Sequence, residues 1–245
     1  MGHDGGVTET APRADADGVG GSAPRPVLVL GDEYRRGRER LTALLADEPA
    51  DRWDRPVRAC PGWTVRGVVG HLLGTVEDAL AGRISGPPSE DITAEQVARH
   101  AADPGPELLA RWAELAPPFE EVVTAGEIWP AVLDVISHEH DVRLALDRPG
   151  ARTDAVVIAG AEALVARVEA PWTIEVELAE GPTLGSVPGP GPVYRLRTTA
   201  FEILRLRLGR RSRAEVRALD WDPIPPPDLA PLFVFDPRPT PLRET

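Results

Sequence analysis

One stretch near the middle of the chain, Gly126 to Asp147 (GEIWPAVLDVISHEHDVRLALD), leaves few choices for the fold. Read as a helix, it places Asp134 and His138 on one face, about 40° apart, with Asp141 on the same stripe at about −20°. Ile128, Val132, Val135, Ile136, Val142 and Leu146 fill the neighbouring arc, and Leu133 and Leu144 occupy the opposite flank. A surface helix shows one broad polar face; this one is apolar on both sides of a narrow polar stripe, so it belongs inside. A carboxylate and an imidazole buried there are costly unless paired or metal-bound, which makes the stripe a candidate site. His140 projects about 200° from His138 on a helix and so cannot share an ion with it; it is read as exposed or as outside the ligand layer. An Asp-x-x-x-His pair is more often a hydrogen-bonded or solvated pair than a metal site, so a third ligand has to come from elsewhere.

The first helix is expected from Gly31 or Asp32 to Asp47, with Tyr34, Leu41, Leu44 and Leu45 inward. After a turn-rich passage through Cys60-Pro61-Gly62-Trp63, Thr64 caps a second helix, Val65 to about Leu80. His71 sits at the edge of that helix's apolar stripe, where a lone histidine is usually a core or boundary residue. Gly67, Gly70 and Gly74 lie on the side near His71; they let a neighbouring helix or a ligand come close. Thr93 and Gln96 read as a capping box for a short helix carrying a surface His100. Pro106 opens a longer helix, expected to break at Pro117-Pro118. Cys60, the only cysteine, excludes an intrachain disulfide and is read as packing.

From Ala151 the pattern changes. A helix capped by Thr153 runs to about Val168, strands follow at Trp172–Leu178 and Val193–Leu196, and Thr199 with Glu202 opens a helix that ends at Gly209. Val216–Leu219 reads as a third strand. Phe233-Val234-Phe235 is the apolar cluster of a Pro-rich tail. The expected class is α+β: a disordered leader over residues 1–27, a helical bundle over 28–150 and a small α+β domain over 151–245.

Composition bounds the function. The formal net charge of −12 over 245 residues argues against a nucleic-acid partner. Residues 1 to 25 lack the apolar run of a secretory signal, and no stretch is long enough to span a membrane, so the expected address is the cytoplasm.

Three segments in order, Cys60-Pro-Gly-Trp-Thr-Val-Arg-Gly-Val-Val-Gly-His71-Leu-Leu-Gly, His138-Glu-His-Asp-Val-Arg-Leu-Ala-Leu and Leu208-Gly-Arg210-Arg-Ser, resemble the mycothiol-dependent maleylpyruvate isomerase family. The resemblance implies a DinB-like four-helix bundle followed by a small α+β domain. It further implies a divalent metal, usually zinc, held by His71, by His138 and by the carboxylate at position 134. That carboxylate is Asp134 where the family has Glu, one methylene shorter. Arg210 matches an arginine implied to bind or polarise an anionic substrate. Mycothiol would enter as co-substrate, a thiolate nucleophile for an isomerase or S-transferase acting on a small electrophile; a homodimer is compatible with this. The rival reading is a metal-binding or ligand-binding bundle without chemistry.

Overall fold

The computed structural model describes residues 28–244; the leader expected over residues 1–27, with His3, lies outside them. Helices α1 (Leu30–Leu45), α2 (Ala50–Trp53), α3 (Val65–Leu80), α4 (Glu90–Arg99), α5 (Gly105–Ala125) and α6 (Trp129–Ala145) come first. Four of them close a ring in which α1 meets α5, α5 meets α3, α3 meets α6 and α6 meets α1. Each turns its apolar stripe inward. Leu41 and Leu45 of α1, Val65, Val68, Val69 and Leu73 of α3, Trp112 and Val123 of α5, and Val132, Val135 and Ile136 of α6 are essentially solvent-free. The Tyr34 hydroxyl, buried in this core, accepts from Trp112 Nε1 at 3.1 Å, so a buried polar pair is satisfied there.

The second half holds α7 (Ala155–Val165), β1 (Thr173–Leu178), β2 (Thr183–Gly185), β3 (Val193–Thr198), α8 (Ala200–Arg207), α9 (Arg213–Arg217) and β4 (Asp220–Asp222). The sheet runs β2-β1-β3-β4, with β1 and β3 parallel and the outer pairs antiparallel. Period-two alternation decides its faces. Ile174, Val176, Leu178 and Leu196 point into the core, while Glu175 and Glu177 pair outward with Arg195 and Arg197. Helix α7 packs against α8 and β2. The whole is α+β, the class expected.

Helix α6 joins the two halves. Almost its whole circumference is buried, because α1 and α3 cover one side and α7 the other, with Gly160 of α7 closing on Leu133 and Ile136. This is the physical reason for its narrow polar stripe.

Several local expectations are corrected. Helix α5 runs unbroken through Pro117 and Pro118; its buried Leu108, Trp112, Ala116, Phe119 and Val123 continue one apolar stripe across the prolines, and that packing outweighs the lost helix hydrogen bonds. The cap of α4 is Ser89, not Thr93, and α7 starts after Asp154 rather than from a Thr153 cap. The segment expected as a strand at Val216–Leu219 begins as helix α9, because Ser212 and Glu215 form a reciprocal capping box ahead of it; the strand comes afterwards, at Trp221. In the tail Leu229, Leu232 and Leu242 are the buried anchors, whereas Val234 and Phe235 are exposed. The backbone N–H of Val234 bonds the carbonyl of Arg207 at the end of α8, which ties the tail to that helix.

Candidate metal centre

The site forms where α3 faces α6. Thr64 accepts from Gly67 N and fixes the start of α3, and the apolar stripe of α3 then sets the rotation that carries His71 toward α6. On α6, Asp134 and His138 stand one turn apart. The structure brings all three together: His71 Nε2 lies 3.3 Å from Asp134 Oδ2, and His138 Nε2 lies 3.4 Å from Asp134 Oδ1. The imidazoles are buried and their ring centroids are 5.3 Å apart. The Asp134 side chain keeps 32% of its surface exposed, so the cluster opens to solvent through the carboxylate.

These separations are long for direct N–H···O bonds but suit shared ligation. Two atoms each bonded at ~2.0–2.1 Å to one tetrahedral ion lie roughly 3.3 Å apart. The opposite ring nitrogens are committed elsewhere. His71 Nδ1 meets Gln96 Oε1 at 2.8 Å, and His138 Nδ1 meets Asp141 Oδ2 at 3.1 Å. Both partners accept, so each Nδ1 carries a hydrogen and each Nε2 is the nitrogen a cation would take, the arrangement of metal-binding histidines. The residues present therefore fit a divalent cation.

Asp141 is completely buried and is the charge hub behind His138. Arg205 Nη1 lies 2.7 Å from its Oδ1 and Arg210 Nη2 lies 2.8 Å from its Oδ2. Arg205, itself without exposed surface, is also paired with Glu244 at 2.6 Å. Burial pushes the Asp141 carboxyl up, but Arg210, Arg205 and His138 outweigh it and hold it well below the ordinary carboxylate range. Asp134 behaves likewise: burial raises it, and the two imidazoles bring it below its usual value. Among the described residues no arginine forms an ion pair with Asp134, so it remains the one carboxylate of the cluster free to face a cation. For His138 burial works downward, and Cys60, Asp134 and Asp141 overcome it to hold the group well above the ordinary histidine value. Surroundings that retain a proton on an imidazole can hold a metal ion in its place.

The Cys60–Trp63 segment roofs the site. Trp63 N bonds Cys60 O at 3.0 Å, with Pro61 second and Gly62 third at φ +86°, a type II turn that requires glycine at that place. It lays the Trp63 ring over both imidazoles, 5.2 Å from His71 and 5.8 Å from His138, nearly parallel to the latter. The turn also sets Cys60 Sγ 3.3 Å from Asp141 Oδ2 and 3.8 Å from His138 Nδ1. Cys60, His138 and Asp141 thus make a second group with metal-ligand spacing, but its carboxylate is already matched by two guanidiniums that oppose a further cation.

The sequence did not place Cys60 beside His138, since they are 78 residues apart. Arg210 is brought to the site, though through Asp141, and its Nη1 bonds the carbonyl of Leu208. His140 is not exposed: it is buried with its ring edge-on to Phe201, and burial beside Arg205 lowers its pKa to about 3. His100 is buried too, between Asp103 and Glu77. Gln96, read as a cap, is instead the partner of His71; the three glycines of α3 were the available signal.

Residues 34–127 match the family described as the mycothiol maleylpyruvate isomerase N-terminal domain. That stretch is similar to the family that the sequence motifs resemble; it contains His71, and Asp134, His138 and Arg210 lie beyond it. Two uncharacterized Mycobacterium tuberculosis proteins, MT0041 of strain CDC 1551 / Oshkosh and Rv0036c of strain ATCC 25618 / H37Rv, are each 48% identical over 48 residues, 20% of this chain and 18% of the relative. The match thus spans under a fifth of those relatives. Among solved structures, the mycothiol-dependent maleylpyruvate isomerase superposes with a TM-score of 0.47 at 16% identity, over 81% of this chain and 93% of that one. A histidine-to-alanine mutant of it gives 0.45 at 16%, over 74% and 88%.

Proposed function

We propose that His71, Asp134 and His138 hold one divalent cation, zinc in the first instance, and that the protein is a thiol-dependent metalloenzyme. The observation that carries this reading is the pair of Nε2 atoms facing one carboxylate at ligand-edge spacing, each with its Nδ1 tied back. A cation held by two neutral imidazoles and one carboxylate keeps a coordination position open and lowers the pKa of a thiol that enters it, which supplies a thiolate at neutral pH.

The chain's own residues do the rest. Trp63 shields the two imidazoles on one side, and Asp134 marks the open side by its exposure. Asp141 holds the Nδ1 hydrogen of His138, and Arg210 and Arg205 hold Asp141 in turn. Cys60 has its sulfur on the Nδ1 side of His138, away from the atoms that face Asp134, so the nucleophile is an external low-molecular-weight thiol. Mycothiol is the thiol suggested by the family of residues 34–127. The substrate is a small electrophile, an activated alkene for isomerisation or a group displaced in S-transfer. An anionic substrate would be held by Arg210, which must then exchange Asp141 for the substrate carboxylate, since both of its terminal nitrogens are engaged within the protein.

Cobalt substitution tests the reading. Addition of a low-molecular-weight thiol to the cobalt protein is expected to produce a thiolate-to-metal charge-transfer absorption, absent in His71→Ala. Cobalt bound without any response to thiol would leave a metal-binding protein and remove the enzyme.

A further inference from the structure

Helix α4 crosses α3 at the place where α3 has no side chains. A Cβ on Gly74 would lie 2.7 Å from both Cβ and Cγ of Gln96, and one on Gly70 would lie 2.9 Å from Cβ of His100. Gly67 meets Val97 in the same way, at 3.3 Å. The glycines thus form a track, and the residue they admit closest is Gln96, which has no exposed surface. A glutamine placed so deep needs both ends of its amide satisfied.

Both ends are. Gln96 Nε2 donates to Asp78 Oδ2 at 2.7 Å, and Asp78, buried on the same face of α3, is fixed by Arg83 at 2.7 Å and Arg99 at 3.0 Å. A carboxylate only accepts, so the amide has one orientation, with Oε1 toward His71 Nδ1 at 2.8 Å. That oxygen in turn only accepts, so His71 donates to it from Nδ1, which leaves Nε2 as the nitrogen that faces Asp134.

We infer that Gln96 is a positioning residue for the metal centre: with Asp78 behind it and Gly74 admitting it, it sets the tautomer and rotation of His71. The inference rests on the proposed metal reading for its consequence, but the hydrogen bond from His71 Nδ1 to Gln96 Oε1 does not need a metal. It also explains why α4 lies where it does, since its Gln96 supplies to His71 what Asp141 supplies to His138. Acceptors behind metal-binding histidines are worth roughly 10- to 100-fold in affinity.

The test uses the full chain, zinc alone as the probe, and two readouts. In metal-free protein, nitrogen-15 spectra of labelled histidine are expected to show a hydrogen on His71 Nδ1, whatever Nε2 carries. Gln96→Met, which fills the space without either hydrogen bond, is expected to weaken zinc binding about 10- to 100-fold and to release the tautomer. The double change Gln96→Glu with Asp78→Asn reverses donor and acceptor between the pair while keeping an acceptor on Nδ1, so it is expected to restore affinity. Gly74→Ala should weaken binding by displacing Gln96, without altering any polar group. His71 without a hydrogen on Nδ1, or Gln96→Met and Gly74→Ala both binding zinc as the unaltered protein does, would overturn the inference. An unaltered protein that takes up no zinc sinks the metal reading instead, and the nitrogen spectrum still decides the role of Gln96.

Discussion

Replacing Asp141 with Asn probes the part of the site that bears most charge. The carboxylate has no exposed surface and is met by Arg205 at 2.7 Å, Arg210 at 2.8 Å and His138 at 3.1 Å. Asparagine keeps the shape but removes the anion and turns an N–H₂ group toward donors. Arg205 retains Glu244, so the main uncompensated charge is Arg210, whose side chain is 14% exposed. Breaking a buried pair by removal of one partner costs about 3–5 kcal/mol. For a chain of this size each kcal/mol lowers the melting temperature by about 2–4 °C, so a drop of roughly 6–20 °C is expected. Glu177→Gln is the control: it removes an anion of similar pairing geometry at 3.1 Å from Arg197, but both side chains are over half exposed. Surface pairs of that kind are worth about 0–1 kcal/mol. Thermal and urea unfolding of both variants measure the difference. If Asp141→Asn melts no lower than the control, the buried hub does not stabilise the fold.

Three further outcomes follow from other parts of the structure. Pro117→Ala and Pro118→Ala should each stabilise α5 by about 1–2 kcal/mol, since both side chains face solvent and the alanine restores a helix N–H, less the entropy gained by the unfolded chain; a urea titration checks this, and a loss of stability would mean the prolines serve packing. Burial raises the carboxyl of Asp78, yet Gln96, Arg83 and Arg99 bring its pKa below the ordinary aspartate value. Its stabilising effect is therefore full above the unfolded value near 3.8 and is lost as pH falls through the folded one. Asp78→Asn should accordingly flatten the acid end of the stability curve, and an unchanged acid limb would contradict the assignment. Removal of bound metal by a chelator should lower the melting temperature, by the equivalent of about 4 kcal/mol where free metal had stood a thousandfold above its Kd; no shift on chelation would mean the cluster is held by its own ion pairs.

How much could be read from the residues depended on whether the signal was local. Helix α6 and its stripe followed from spacing alone, because burial on every side leaves few polar positions to interpret. Helix α3 came with its cap residue, and α8 with Thr199 and the glycine beyond its end, where Gly209 takes φ +76°. Convergence of His71 with Asp134 and His138 came from the family resemblance, as spacing cannot join residues on different helices. Pro117-Pro118 misled because local propensity ignores an apolar stripe that continues past them. His100 looked like surface and Gln96 like a cap because α4 is polar; its inward face is created by absent side chains on α3. Cys60 illustrates the same limit: a turn of a few residues carries its sulfur to a helix far along the sequence.

X-ray absorption at the zinc edge of the purified, thiol-free protein decides whether His71, Asp134 and His138 hold a cation. The account predicts one zinc per chain in a shell of nitrogen and oxygen at about 2.0–2.2 Å with the outer scattering of two imidazoles, and loss of the metal in His71→Ala, Asp134→Ala and His138→Ala. A sulfur neighbour at about 2.3 Å, which would put the ion on Cys60, or a protein that holds no zinc when its ligand residues are intact, would contradict it.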